Sequence, residues 1–294
     1  MKDNIIIGTW PLSGDFGAVG RDQVSETLER SVSSGLTSFD TAPNYGSGSM
    51  EAKLGEMLPR NPAITIHTKI GNRPSGGKSF AIKDMEDSIN QSIERLGTTR
   101  LGYVFLHNPR SEIEDYSIVH EMFDRMEEEE IIFGRGLSCA RNIAYEDLTD
   151  LSEFDVVQDD HNLLRSSPYA GDYRYRFLAR SPLASGLLGG HITPKTKFET
   201  IDHRSGWLTG ERLSALCAQV EAIRHVNPDI PLPSLARRAV IDDPGVSAII
   251  TGVRRPEHID QLIADEQFSL SLSDIERLRS SAQEALTGME NMSY

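Results

Sequence analysis

From Ile5 to Ala285 the chain alternates short β-rich apolar runs with longer amphipathic segments, and few architectures accept that pattern over such a length. Parallel strands need long crossovers, which helix-length amphipathic segments supply. The apolar runs fall at 4–9, 37–41, 64–70, 103–106, 133–138, 156–158, 177–180 and 246–251. Several are apolar without a break, as strands covered on both faces are. Segments 22–34, 82–96, 118–129, 213–225, 235–241, 256–263 and 274–285 read as helices. Ser273 and Glu276 have the spacing of a capping box at the start of the last one. The expectation is an α/β protein forming a single (β/α)8 TIM barrel over 1–294, a length that suits a fold of roughly 250 residues.

The formal net charge is −14, which argues against nucleic acid or an anionic membrane as the main partner, because a polyanion would be repelled at long range. An anionic ligand would have to meet a local basic patch. No apolar run approaches the ~18 residues of a spanning helix, and the opening MKDNIIIGTW does not resemble a leader, so a cytoplasmic protein is expected. Cys139 and Cys217 lie far apart without metal-type spacing, so neither a disulfide nor a metal site is expected. The one long connection without a clear element, 189–210, is rich in Gly, Thr, Lys and Asp; it reads as a ligand-covering loop or as a solvated excursion.

Four ionisable residues fall at or just beyond the C-terminal ends of the expected strands, where barrel enzymes carry their chemistry. Asp40 closes TSFD, Tyr45 lies in the turn that follows, Lys69 ends ITIHTK and His107 ends GYVFLH. Each alone has an ordinary explanation as a cap, a loop packing residue, a solvated strand end or a core histidine. Together they make a proton-transfer site, because a phenol delivers a proton to a carbonyl oxygen when a nearby ammonium stabilises its phenolate. Asp40 would hold that ammonium, and His107 would orient the substrate oxygen. Nothing in the set supplies a hydride.

The blocks GTW (8–10), FDTAPNYG (39–46), TKIG (68–71), LHNP (106–109), GLS (136–138), VVQDDHNLL (156–164), SPLASGLL (181–188) and GVSAIITGVRRPEHIDQL (245–262) resemble, in order, the signature blocks of the aldo-keto reductases. The resemblance implies a catalytic tetrad of Asp40, Tyr45, Lys69 and His107, with Tyr45 as general acid and base. It implies NADP(H) lying across the barrel mouth, which 189–210 would cover if it is a ligand-covering loop, and a small carbonyl or alcohol as substrate. No GxGxxG stands at a strand-to-helix turn, so a Rossmann domain is not expected.

Carried over by resemblance, Ser138 and Gln158 would hold the nicotinamide carboxamide. Ser181, Leu183, Ser185, Gly186 and Leu187 would line the pyrophosphate, and Gly8, Thr9, Trp10, Asp40 and Gly252 would border the cleft. The residues themselves support a phosphate site at TGVRRPEHI, where two arginines precede a proline-led helix start. Arg254 and Arg255 are the candidates for the adenosine 2'-phosphate, which favours NADP over NAD, and His258 would lie near the adenine.

Three positions depart from the family's commonest pattern: Cys139 in place of a frequent asparagine, Leu262 likewise, and Arg180 where an aromatic often stacks on the nicotinamide. Arg180 is expected to contact either the cofactor or an acidic substrate. Segments 72–79, 110–116, 164–175 and the tail after Leu286 would set the substrate. Two rivals accompany the reductase reading: an aldose 1-dehydrogenase working in the oxidative direction, and an NADPH-binding regulatory subunit with little turnover.

Overall fold

The first apolar run forms β1 (Ile5–Gly8), and it pairs on both sides, so the sheet closes on itself. A computed structural model describes residues 4–58, 61–287 and 294. The other strands are β2 (Ser38–Asp40), β3 (Thr65–Ile70), β4 (Leu101–His107), β5 (Ile132–Ser138), β6 (Val156–Asp160), β7 (Arg176–Arg180) and β8 (Ala248–Gly252). All are parallel and follow the order of the chain around a closed barrel, with Gly8 in register with Gly252 at the seam. The eight expected runs are the eight strands, displaced at their ends by one to two residues in most cases.

Alternation along the strands divides the core. Ile6, Tyr103, Phe105, Val156, Leu178 and Ile250 fill the inside of the barrel, and neighbours such as Ile5, Ile7, Val104 and Leu106 face the surrounding helices. Phe105 fits because Gly136 stands beside it: a Cβ at that position would run into the Phe105 ring.

Among the described residues there are eight α-helices: α1 (Arg21–Ser33), α2 (Ser49–Met57), α3 (Ile82–Leu96), α4 (Tyr116–Glu128), α5 (Gly210–Val226), α6 (Leu232–Ile241), α7 (Pro256–Ala264) and α8 (Leu272–Glu284). In α3, Met85, Ile89 and Leu96 form a buried stripe, each contributing about 2 kcal/mol, and Gly97 ends the helix in the left-handed region at φ 61°. The capping box of α8 forms on Ser271 and Asp274 rather than on Ser273 and Glu276. SLSDIE contains both Ser-x-x-acid spacings, and the helix takes the earlier one.

The helices are not distributed one per strand. Among the described residues no α-helix joins β5 to β6 or β6 to β7, and two follow each of β7 and β8. In the helix-free crossovers Tyr145, Phe154, Tyr169 and Tyr175 are buried against the sheet. Their polar ends are anchored: Tyr145 Oη donates to Pro109 O at 2.6 Å and Tyr169 Oη donates to Ile143 O at 2.8 Å. Residues 110–115 connect β4 to α4, which Tyr116 opens, and 164–175 lie in the connection from β6 to β7; of the tail after Leu286, residues 288–293 lie outside the described residues. No helix of the described residues is long and apolar enough to cross a membrane.

Candidate active site

Asp40, Lys69 and His107 stand at the C-terminal ends of β2, β3 and β4, and the turn after β2 brings Tyr45 over them. That turn is pinned from another loop. Asp15 Oδ2 accepts from Gly46 N at 3.1 Å and from Trp10 Nε1 at 2.8 Å, and the Trp10 and Tyr45 rings stack at 5.7 Å.

All four groups are buried. The Lys69 ammonium donates to Asp40 Oδ1 at 2.6 Å, to Thr41 O at 2.8 Å and to Tyr45 Oη at 3.1 Å. Its three donors therefore have three acceptors. A chain of bonds continues beyond them: Gln158 Nε2 donates to Asp40 Oδ2 at 3.4 Å, and Ser138 Oγ donates to Gln158 Oε1 at 3.1 Å.

Burial works against the Lys69 charge, but Asp40, Tyr45 and the hydrogen bonds to both outweigh it and hold the pKa above the ordinary lysine value. Burial raises the Tyr45 phenol above 10, with the Lys69 charge opposing the rise. His107 is pushed well below 6.5, first by burial and then by the charges of Lys69 and Arg180, so its ring is neutral at pH 7. Its Nδ1 is buried without a partner among the described residues, which leaves Nε2 as the nitrogen for a ligand in the cleft that His107 lines.

That cleft has a volume of about 870 Å3 and runs from Tyr45 and His107 to the start of α7. Most of the expected cofactor residues line it: Gly8, Trp10, Asp40, Ser138, Gln158, Arg180, Ser181, Leu183, Ser185, Gly186, Gly252, Arg254, Arg255 and His258. Two do not. Thr9 is fully buried and donates from Oγ1 to Asp40 O at 2.9 Å, so it braces the strand end. The Leu187 side chain is buried in the apolar cluster formed with α5, α6 and α8.

The segment after β7 has an unusual backbone, with Ser181, Ala184 and Ser185 at φ 58°, 47° and 54°. Left-handed residues interspersed in a turn bring successive amides round to one concave side, a geometry that receives anions. The two arginines differ. Arg254 donates to Phe16 O, to Gly17 O at 3.3 Å and to Ala18 O at 3.1 Å, tying the loop after β1 to β8. Arg255 is 62% exposed, with His258 Nε2 at 3.4 Å and Glu257 at 3.9 Å.

Sequence reasoning missed Asn44, Asn108, Gln23 and Arg204, which also line the cleft. Asn44 and Asn108 adjoin Tyr45 and His107 inside blocks already singled out, so adjacency was the available signal. Arg204 belongs to 189–210. It donates to Ser185 O at 3.2 Å and lies over Phe16 and Phe198, while His203 N donates to Asp15 O at 2.8 Å. This loop thus ties the exit of β7 to that of β1. No group of three His, Cys, Asp or Glu among the described residues is placed to hold a metal ion.

A model of the Aldo/keto reductase family matches residues 4–283. The aldo-keto reductase YhdN of Bacillus subtilis (strain 168) is 23% identical over 290 residues, covering 91% of this chain and 86% of the relative. The D-threo-aldose 1-dehydrogenase of a Pseudomonas species is 25% identical over 287 residues, covering 84% of each. The solved glycerol dehydrogenase AKR11B4 from Gluconobacter oxydans shares the fold at a TM-score of 0.79 and 20% identity, covering 98% of this chain and 92% of that one.

Proposed function

The chain belongs to the aldo/keto reductase family of oxidoreductases, and from that premise we propose that it transfers a hydride between NADP(H) and a carbonyl or alcohol carbon, with Tyr45 moving the proton. The observation that carries this reading is the bonded set Asp40, Lys69 and Tyr45, opening on the same cleft as a neutral His107. When bound, the nicotinamide supplies the hydride.

His107 donates from Nε2 to the carbonyl oxygen and Tyr45 Oη gives up its proton to it. A phenol with a raised pKa stays protonated at neutral pH, and an emerging alkoxide is far more basic, so the transfer runs downhill. Lys69 then stabilises the phenolate, and Asp40 keeps Lys69 charged. The same residues serve reduction of a carbonyl and, in reverse, oxidation of an alcohol or an aldose. The bonded set of Asp40, Lys69 and Tyr45 beside a neutral His107 favours catalysis over a subunit that only binds NADPH.

Ser138 and Gln158 would hold the carboxamide, the turn 181–186 the pyrophosphate and Arg255 the 2'-phosphate, and 189–210 would cover the cofactor. The fit rests on the amide-rich turn at Ser181–Ser185 and on the exposed Arg255. Loss of nicotinamide absorbance with NADPH and with NADH, across a panel of aldehydes, ketones and keto-sugars, tests the reading. Turnover that prefers NADPH supports it; absence of turnover with both cofactors overturns it.

A further inference from the structure

Charge is divided unequally around the cleft. Among the described residues that line it, Asp40 is the only carboxylate, and Lys69 takes it. Against it stand Arg180, Arg204, Arg237, Arg254 and Arg255. Arg204 is paired with Asp202, Arg237 with Asp265, and Arg254 is spent on backbone carbonyls. Arg204, Arg254 and Arg255 form one neighbourhood: burial lowers the Arg254 pKa and the other two charges lower it further. Within that neighbourhood Arg255 is the residue proposed above for the 2'-phosphate.

Arg180 stands apart from it. It ends β7, and its charge acts on Tyr45 and His107. Its Nη1 donates to Asp160 Oδ1 at 2.8 Å and its Nη2 to Cys139 O at 2.9 Å, so the guanidinium plane is fixed, yet the side chain remains 24% exposed. Asp160 does not belong to Arg180 alone, because Arg141 Nε donates to Asp160 Oδ2 at 2.8 Å. Asp159 is shared as well, between Arg165 at 3.4 Å and Arg180 at 3.9 Å. Among the described residues of this cluster three guanidiniums share two carboxylates, so the cluster carries one net positive charge, and Arg180 is the member that lines the cleft with Tyr45 and His107. A chain of net charge −14 has no general electrostatic reason to place a surplus cation there.

We infer that the substrate is a carbonyl compound bearing an anionic group, a carboxylate or a phosphate, which Arg180 receives while Tyr45 and His107 hold the carbonyl oxygen. The inference rests on the proposed function and names its substrate class. A restrained guanidinium fork matches an oxyanion geometrically, and the surplus charge offsets the one the substrate brings into a partly desolvated cleft.

Two matched pairs of probes separate charge from size: succinic semialdehyde against its methyl ester, and glyceraldehyde 3-phosphate against glyceraldehyde. The ratio of kcat/KM, anion over neutral, is expected to reach about tenfold in at least one pair and to fall toward one in Arg180→Gln. The pair that responds identifies the anion as carboxylate or phosphate. Calorimetry on Tyr45→Phe protein loaded with NADPH reads the same preference as binding, without turnover. A wild-type ratio near one in both pairs by both readouts overturns the inference, and so does a ratio that persists in Arg180→Gln while NADPH binding weakens. Failure of the proposed function looks different: no probe is turned over by the wild type, whatever the binding preference.

Discussion

Lys69 Nζ lies 3.1 Å from Tyr45 Oη, and both residues are buried at the base of the cleft. In water an ammonium affects a phenol little. In a buried site the same contact shifts the balance between phenol and phenolate, because the effective dielectric is lower.

Removing that ammonium is expected to damage the fold as well as the chemistry. Lys69→Met leaves the buried Asp40 carboxylate without its partner, a loss on the order of 3–5 kcal/mol. Denaturant unfolding checks the stability, and Lys69→Met, Asp40→Asn compared with the single variants checks the cause. The double variant should be more stable than Lys69→Met; equal or lower stability would mean that Asp40 is not the group left stranded.

Arg255→Gln is expected to weaken NADPH by about tenfold and NADH little, since only the 2'-phosphate gains from the guanidinium. Arg254→Gln should instead loosen residues 16–18, whose carbonyls Arg254 holds, and weaken both cofactors alike. Kd values for both cofactors with both variants decide. Equal weakening of NADPH and NADH in Arg255→Gln would remove Arg255 from the phosphate site.

Stability should depend on pH through His67. Its Nδ1 accepts from Tyr103 N at 2.9 Å and its Nε2 lies 3.0 Å from Ser38 Oγ, an arrangement that requires a neutral ring. Burial pushes its pKa down to about 4 from 6.5. Because the folded value is the lower one, this stability is fully present above pH 6.5 and is lost as pH falls toward 4, on the order of 3 kcal/mol in all. His107 adds in the same direction. Urea unfolding across this range should show the decline, and His67→Gln should flatten it. An equally steep decline in His67→Gln would place the titration elsewhere.

Much of this was legible in the residues. The strands stood out because buried parallel strands are apolar in succession, and Ile82–Leu96 was readable to the residue because its stripe ends at a glycine. The place of Asp40, Lys69 and His107 at the strand ends could be read because each ends such a run. The two crossovers without helices were harder. Tyr145, Phe154 and Tyr169 cover the sheet one by one from irregular backbone, which leaves no period to detect. Nor does spacing show that Arg254 spends its donors on the carbonyls of 16–18, because that contact joins the two ends of the chain across the barrel seam. That the Thr9 and Leu187 side chains do not line the cleft was hidden for a related reason: membership in a motif does not say which way a side chain points.

The account stands most directly on Tyr45→Phe. The ring keeps its stacking on Trp10 and only the hydroxyl beside Lys69 is lost, so the cofactor site stays intact. NADPH binding, read by quenching of protein fluorescence, should match the wild type, while carbonyl reduction falls by about a hundredfold to ten-thousandfold. Turnover in Tyr45→Phe within a few fold of the wild type, at unchanged NADPH binding, would contradict the claim that Tyr45 moves the proton.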